Sequence, residues 1–304
     1  IRRASPQLDL FDLDYVDPFR AGLYLRPESR FFLGLNKKMR PLAEKIIQAS
    51  EEEVARSKAL QKVLAQVNRA SQEVNRWVYD ESKKLLAKNK MPVVVGGDHS
   101  SPLGAIRAYA EKFPGMGVLH FDAHSDTRRA YMGFQYSHAS IMYNVAQECA
   151  GVSKIVQVGI RDFCEAEYHY TTRENSKFQV YFDRDLKDMV FTGIPFQTVA
   201  RQIVAHLPEL VYLSVDIDAL DPRYCPNTGT PVPGGLDYME LISIVREIVR
   251  SKRKIVGFDL CEVAPGSGPK DEWDANVGMR LLYKITALAL GSQGLLAAFE
   301  GKSN

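Results

Sequence analysis

Short apolar runs alternate along this chain with amphipathic stretches, and that alternation is its strongest constraint on fold. The runs fall at residues 91–95, 117–122, 154–160, 178–182, 210–216 and 254–260, and helical periodicity fills 101–112, 137–149, 195–206, 237–250 and 274–290. Runs so rich in Val, Ile and Leu have no polar face to offer water. They belong in a parallel sheet covered by helices on both sides, an α/β arrangement. Sites in such sheets form at the carboxyl ends of the strands, so the residues just after each run carry the functional argument.

The first ninety residues read differently. Residues 8–19 open with alternating apolar and acidic side chains (Leu8-Asp9-Leu10-Phe11-Asp12-Leu13-Asp14), a period of two that predicts a strand. From 41 to 88 the pattern turns helical, with Pro41 suited to the first turn of one helix. Ser50 and Glu53 form a capping box for a second, long one. Asp237 and Glu240 repeat that signature at 237. The charged stretch 36–90 reads as a solvated face. No repeat, low-complexity tract or linker divides the chain, which predicts one domain over 1–304.

Charge and cysteine usage narrow the class. Lys and Arg number 39 against 37 Asp and Glu, a net +2 that gives no reason to expect nucleic acid or an acidic membrane as partner. The longest apolar runs, 91–97 and 285–291, are far too short to span a bilayer. Cys149, Cys164, Cys225 and Cys261 show no paired spacing, and no secretory signal opens the sequence. The expectation is reduced thiols in a cytoplasmic protein.

Three of the apolar runs end in chemistry. Gly96-Gly97-Asp98-His99-Ser100 follows the first, Asp122-Ala123-His124-Ser125-Asp126 ends the second, and Asp216-Ile217-Asp218-Ala219-Leu220-Asp221-Pro222 ends the fifth. Residues two apart in extended chain share a face about 6.5–7 Å apart, so Asp122, His124 and Asp126 can converge with Asp216, Asp218 and His99. Four carboxylates buried together would repel one another and lose their hydration. Two divalent ions relieve both costs, and a carboxylate spans metals about 3.5–4 Å apart. Carboxylate and imidazole without thiolate suit Mn²⁺ and also accept Zn²⁺, Fe²⁺, Ni²⁺ or Co²⁺. A lone Asp-x-His is usually a turn or cap; six such residues after strands are a metal centre.

These segments, with Gly229-Thr230-Pro231-Val232-Pro233-Gly234-Gly235-Leu236 and Gly257-Phe258-Asp259-Leu260-Cys261-Glu262-Val263-Ala264-Pro265, resemble the signatures of the ureohydrolases, the arginase and agmatinase family, from residue 1 to about 290. The resemblance implies a three-layer α/β/α fold around a mostly parallel eight-stranded sheet. Ile1-Arg2-Arg3-Ala4-Ser5 resembles the segment after that fold's first strand, so the domain is expected to be N-terminally incomplete, with its first strand missing. It also implies two Mn²⁺ (Ni²⁺ or another divalent ion as variants). His99, Asp122, Asp126 and Asp216 would hold one ion, and Asp122, His124, Asp216 and Asp218 the other. A hydroxide shared by the ions would attack a guanidino carbon to release urea and an amine.

Residue by residue, the resemblance makes Asp126, His138 and Glu262 catalytic, with Glu262 orienting the guanidinium and His138 passing a proton to the leaving amine. His120 reads as a core or supporting residue, and His169 and His206 are assigned nothing. Substrate signals are mixed. Arg128 is formimidoylglutamase-like and would pair with a substrate carboxylate. Asp162 and Glu167 fall where arginases read an α-amino group, with Cys164 where an Asp is expected. The Gly-Gly-Leu and Glu-Val-Ala-Pro segments are agmatinase-like. Agmatine, arginine, a guanidino acid and free guanidine all stay open, with a formimidoylglutamase-type hydrolase or a non-catalytic ligand-binding paralogue as alternatives. All six ligands are present, which disfavours the last. A deacetylase-like amidohydrolase is disfavoured because no His-His pair occurs. The family implies a homo-oligomer, a trimer or hexamer.

Overall fold

A computed structural model describes residues 1–266, 268 and 271–300. Six strands, β1 (Val93–Val95), β2 (Met116–Phe121), β3 (Val152–Ile160), β4 (Phe178–Phe182), β5 (Leu210–Asp216) and β6 (Lys254–Cys261), form one sheet in the order β1-β6-β5-β2-β3-β4. Every pairing is parallel. The helices are α1 (Arg30–Ile47), α2 (Glu51–Arg56), α3 (Lys58–Ala87), α4 (Leu103–Lys112), α5 (Ile141–Glu148), α6 (Glu165–Thr172), α7 (Asp183–Phe191), α8 (Phe196–Ala205), α9 (Tyr238–Arg250) and α10 (Trp273–Ser292). No helix among the described residues is long and apolar enough to cross a membrane.

Two cores, one on each side of the sheet, make this a three-layer α/β/α structure. On one side Leu119, Leu213 and Phe258 pack against Val199 and Ile203 of α8, Ile244 and Ile248 of α9, and Leu281 and Ile285 of α10. On the other, Val118, Ile155 and Tyr212 pack against Ile106 and Tyr109 of α4 and Ile141 and Val145 of α5. Tyr109 lies so close to β6 that a Cβ at Gly257 would sit 2.3 Å from its ring. Its hydroxyl donates to the Pro92 carbonyl at 2.9 Å.

The opening segment is not a strand, which corrects the period-two reading and leaves six strands among the described residues rather than eight. Residues 8–19 contribute a single antiparallel bridge, Tyr15 to Ala298. The alternating acids act as anchors instead. Lys284 of α10 reaches Asp12 at 2.6 Å and Asp14 at 2.5 Å, and Arg246 of α9 reaches Asp14 at 2.9 Å. Phe11 and Leu13 stay exposed.

Pro41 lies inside α1, not in its first turn. A proline inside a helix ordinarily costs about 3 kcal/mol, and α1 packs along α3, with the rings of Phe31 and Phe32 on Trp77. The Ser50–Glu53 box is present but opens only the six-residue α2. The chain extends at Ser57, whose side chain caps the long α3. The Asp237–Glu240 box caps α9 as read. The helix expected over 137–149 splits into a 3₁₀ turn, His138–Ser140, and α5.

Candidate metal centre

β2 and β5 stop at the same edge of the sheet, beside β6 and the loop after β1, and the strand-end residues meet there. His99 is 1% exposed, and its Nδ1 lies 2.9 Å from Asp122 Oδ2, 3.4 Å from Asp126 Oδ2 and 3.3 Å from Asp216 Oδ2. His124 Nδ1 lies 3.1 Å from Asp218 Oδ2 and 3.4 Å from Asp122 Oδ1. Two sets of donor atoms therefore gather around Asp122. His99, Asp122 and Asp126, with His120 beside them, form one, and Asp122, His124 and Asp218 form the other, each within 4.8 Å. All six residues read from the sequence come together here.

Hydrogen bonds hold two site residues in left-handed backbone conformations. Asp126 has φ 55° and Glu262 has φ 60°, conformations that cost an L-residue of order 1 kcal/mol or more. The Asp126 carbonyl accepts from Met142 and Tyr143 at the start of α5, at 3.0 and 3.2 Å. Glu262 donates its N–H to the Gly97 carbonyl at 2.8 Å, and its own carbonyl accepts from Thr228 Oγ1 at 3.0 Å. Its carboxylate returns to the centre, with Oε1 accepting from the His99 N–H at 3.0 Å. Burial, with Asp98 nearby, raises Glu262 to about 7.

The electrostatics fit a site for positive charge. Burial and the Asp122 charge push Asp126 well above the carboxylate range, and burial with Asp218 and Asp122 does the same to Asp216. Burial opposes the charged form of His99, yet Asp122, Asp126 and Asp216 hold its imidazolium well above the usual range. Burial also opposes charge on His124, but Asp122 and Asp218 lift it to about 11. Burial alone would raise Asp122; His120, His124 and His99 hold it well below instead. Asp218 Oδ2 is buried, and His124 Nδ1 at 3.1 Å is the positive partner it faces, in poor hydrogen-bonding geometry. Protons thus stand in for positive charge. This donor set suits divalent cations of the Mn²⁺, Ni²⁺ or Zn²⁺ kind.

A pH dependence follows for protein stripped of divalent ions. His124 contributes stability that is complete below its ordinary 6.5 and fades as pH rises toward 11. The raised Asp126 and Asp216 act in the same sense, whereas the stability from the lowered Asp122 is already complete by neutrality. The stripped protein's Tm is therefore expected to fall between about pH 6.5 and 9, while the gain on adding Mn²⁺ grows, because ions displace those protons. Melting curves with chelator and with Mn²⁺ check this; a stripped Tm that climbs over the window would contradict it.

The remaining residues surround this centre. His138 is half-buried, stands 5.7 Å from the Tyr131 ring, and is pushed below the usual imidazole range by burial. Asp162 is exposed, with Oδ2 3.9 Å from His124 Nε2. Arg128 lies over Tyr131, with Nε 3.4 Å from Glu167 Oε2. Glu167 is buried and engaged by the protein itself, accepting from Thr127 N at 3.2 Å and Cys164 N at 3.0 Å. Cys164 and Glu167 open α6, a helix that the reading of the sequence left out, as it did α7.

A second row of polar residues escaped the sequence reading except for His120. One step before the ligands, Gln157, His120, Ser214 and Asp259 are register partners across β3, β2, β5 and β6, all fully buried. Ser214 Oγ sits 2.9 Å from His99 Nε2 and donates to Asp259 Oδ1 at 3.2 Å. Their signal in the sequence is a polar side chain inside an otherwise apolar run, two positions before a ligand for His120 and Ser214 and set level with them by strand register for Gln157 and Asp259.

The sequence model of the arginase family matches residues 37–287. An agmatinase of Cronobacter sakazakii is 35% identical over 202 residues, 66% of this chain and 61% of that protein. An uncharacterised 32.2 kDa protein of Methanothermus fervidus is 33% identical over 189 residues, 62% of this chain and 61% of its own length. The alignments thus span about three fifths of these relatives. The agmatine ureohydrolase of Thermoplasma volcanium superposes with TM-score 0.61 at 26% identity, covering 72% of this chain and 69% of that one.

Proposed function

The chain belongs to the arginase family, and from that premise we propose that it hydrolyses a small guanidino compound to urea and an amine, using two divalent cations. His99, Asp122, Asp126 and Asp216 would hold one, and Asp122, His124, Asp216 and Asp218 the other. The observation that carries this reading is the convergence of four buried carboxylates and two imidazoles at one edge of the sheet. Two such ions, Mn²⁺ first and Ni²⁺ second, would supply Lewis acidity and a nucleophile from water at neutral pH.

The chain's own residues do the rest. Glu262, anchored through the His99 amide, offers its carboxylate to a guanidinium by charge-assisted hydrogen bonds. His138 would move a proton to the departing amine; burial holds its imidazole below the usual range, so near neutrality it stands as the neutral base that can take up a proton before passing it on. Agmatine is the first substrate to try, because curated relatives are named agmatinases. Arg128, 40% exposed beside Tyr131, favours a substrate carrying a carboxylate as the second reading. We place the protein in the cytoplasm, as a trimer or hexamer of identical chains.

The test is urea release by Mn²⁺-loaded and then Ni²⁺-loaded protein from agmatine, arginine, 4-guanidinobutyrate and free guanidine. Urea from one of them supports the reading; none from any, with ions bound, contradicts it. Glu262→Gln removes about 1.5–3 kcal/mol of charge-assisted hydrogen bonding, so kcat/KM is expected to fall roughly 10–100-fold, largely through KM. An unchanged KM in steady-state assays would remove Glu262 from guanidinium binding.

A further inference from the structure

His120 is fully buried in β2, and its Nε2 lies 2.8 Å from Asp122 Oδ2. That same oxygen faces His99 Nδ1 at 2.9 Å, so His120 touches the carboxylate that the two halves of the centre share. What His120 does there depends on which ring nitrogen carries hydrogen, and its surroundings decide that.

The chain of constraint starts at Ser125. Its backbone carbonyl can only accept, and Gln157 Nε2 lies 2.8 Å from it. A flipped Gln157 would set two oxygens against each other, so the amide nitrogen must face Ser125. Its second hydrogen then points at His120 Nδ1, 2.9 Å away, which must accept. The ring hydrogen is left on Nε2, aimed at Asp122. Gln157 and His120 are direct register partners on β3 and β2, so the sheet itself sets this geometry.

We propose that His120 is a positioning residue for Asp122: Gln157 fixes it as an Nε2–H donor, and that hydrogen bond holds the shared carboxylate in the orientation that serves both cation sites. His120 is accordingly not a cation ligand, although its Nε2 lies within reach of the cluster. This rests on the two-cation reading above.

Two measurements test it. Long-range ¹⁵N–¹H correlation on histidine-labelled, metal-free protein is expected to show the Nε2–H tautomer for His120, assigned by its loss in His120→Gln. An Nδ1–H pattern would overturn the proposal whatever the protein binds. Chelator competition with Mn²⁺ reads the consequence. His120→Phe, which keeps a ring and loses the donor, is expected to weaken binding about 10–100-fold, the usual effect of losing an outer partner. His120→Gln, which returns an N–H near the same place, is expected to recover most of that loss. Equal Mn²⁺ affinity in His120→Phe and wild type, or equally poor affinity in His120→Phe and His120→Gln, would reduce His120 to packing. Wild type that binds no Mn²⁺ would sink the two-cation reading, with the tautomer spectrum still deciding the Gln157 lock.

Discussion

Asp216→Asn is expected to abolish measurable urea release and to lower bound metal toward one ion per chain or none. Asp216 would serve both cations, so its loss should exceed the roughly 10–100-fold cost of deleting an outer partner. The same substitution is expected to stabilise the metal-free protein. Burial, Asp218 and Asp122 all disfavour a charge on Asp216, while an Asn oxygen can still accept from the Asp218 N–H that Oδ1 now accepts at 2.9 Å. A gain near 1 kcal/mol would raise the chelator-stripped Tm by about 2 °C. Activity bought at the expense of stability is a common feature of charged sites. Elemental analysis and melting curves read both effects; a variant with two full ions would contradict the ligand assignment.

Arg161→Met is expected to be the most destabilising change outside the centre. The Arg161 guanidinium donates to the carbonyls of Gly159 at 3.1 Å, Asp218 at 2.8 Å, Leu220 at 3.3 Å and Val232 at 3.0 Å. It ties the end of β3 to the loop that presents Asp218 and to the Pro-Val-Pro-Gly-Gly turn. Gly235 shows how closely these pieces approach. At φ 99°, a Cβ there would sit 2.9 Å from both Arg161 Nη2 and the Ala219 carbonyl. Losing the fork leaves several carbonyls without donors, a cost of about 3 kcal/mol or more. Arg161→Lys keeps the charge but not the planar fork and is expected to recover little. Denaturant melts of both variants, with and without Mn²⁺, check this; full stability in the Lys variant would show that charge alone matters there.

The strands and ligands were legible in the sequence for a physical reason. A buried parallel strand has no solvent face, so its apolar run is continuous and its end is marked where polar residues resume, as at Asp122 and Asp216. Each of the six runs became a strand, and the ligands sit where they end. What was not legible depends on contacts between distant residues. The alternation at residues 8–14 looks like a pleat, yet its acids alternate to meet Lys284 and Arg246. Residues 30–40 are helical because Phe31 and Phe32 pack on Trp77. Gln157, Ser214 and Asp259 look like blemishes in apolar runs until strand register sets them in one row.

The most direct test of the central claim is a count of tightly held divalent ions per chain, by elemental analysis after Mn²⁺ loading and removal of free metal. Two are expected for the wild-type protein. One ion, or none at neutral pH, would contradict the two-cation centre and the reaction proposed to depend on it.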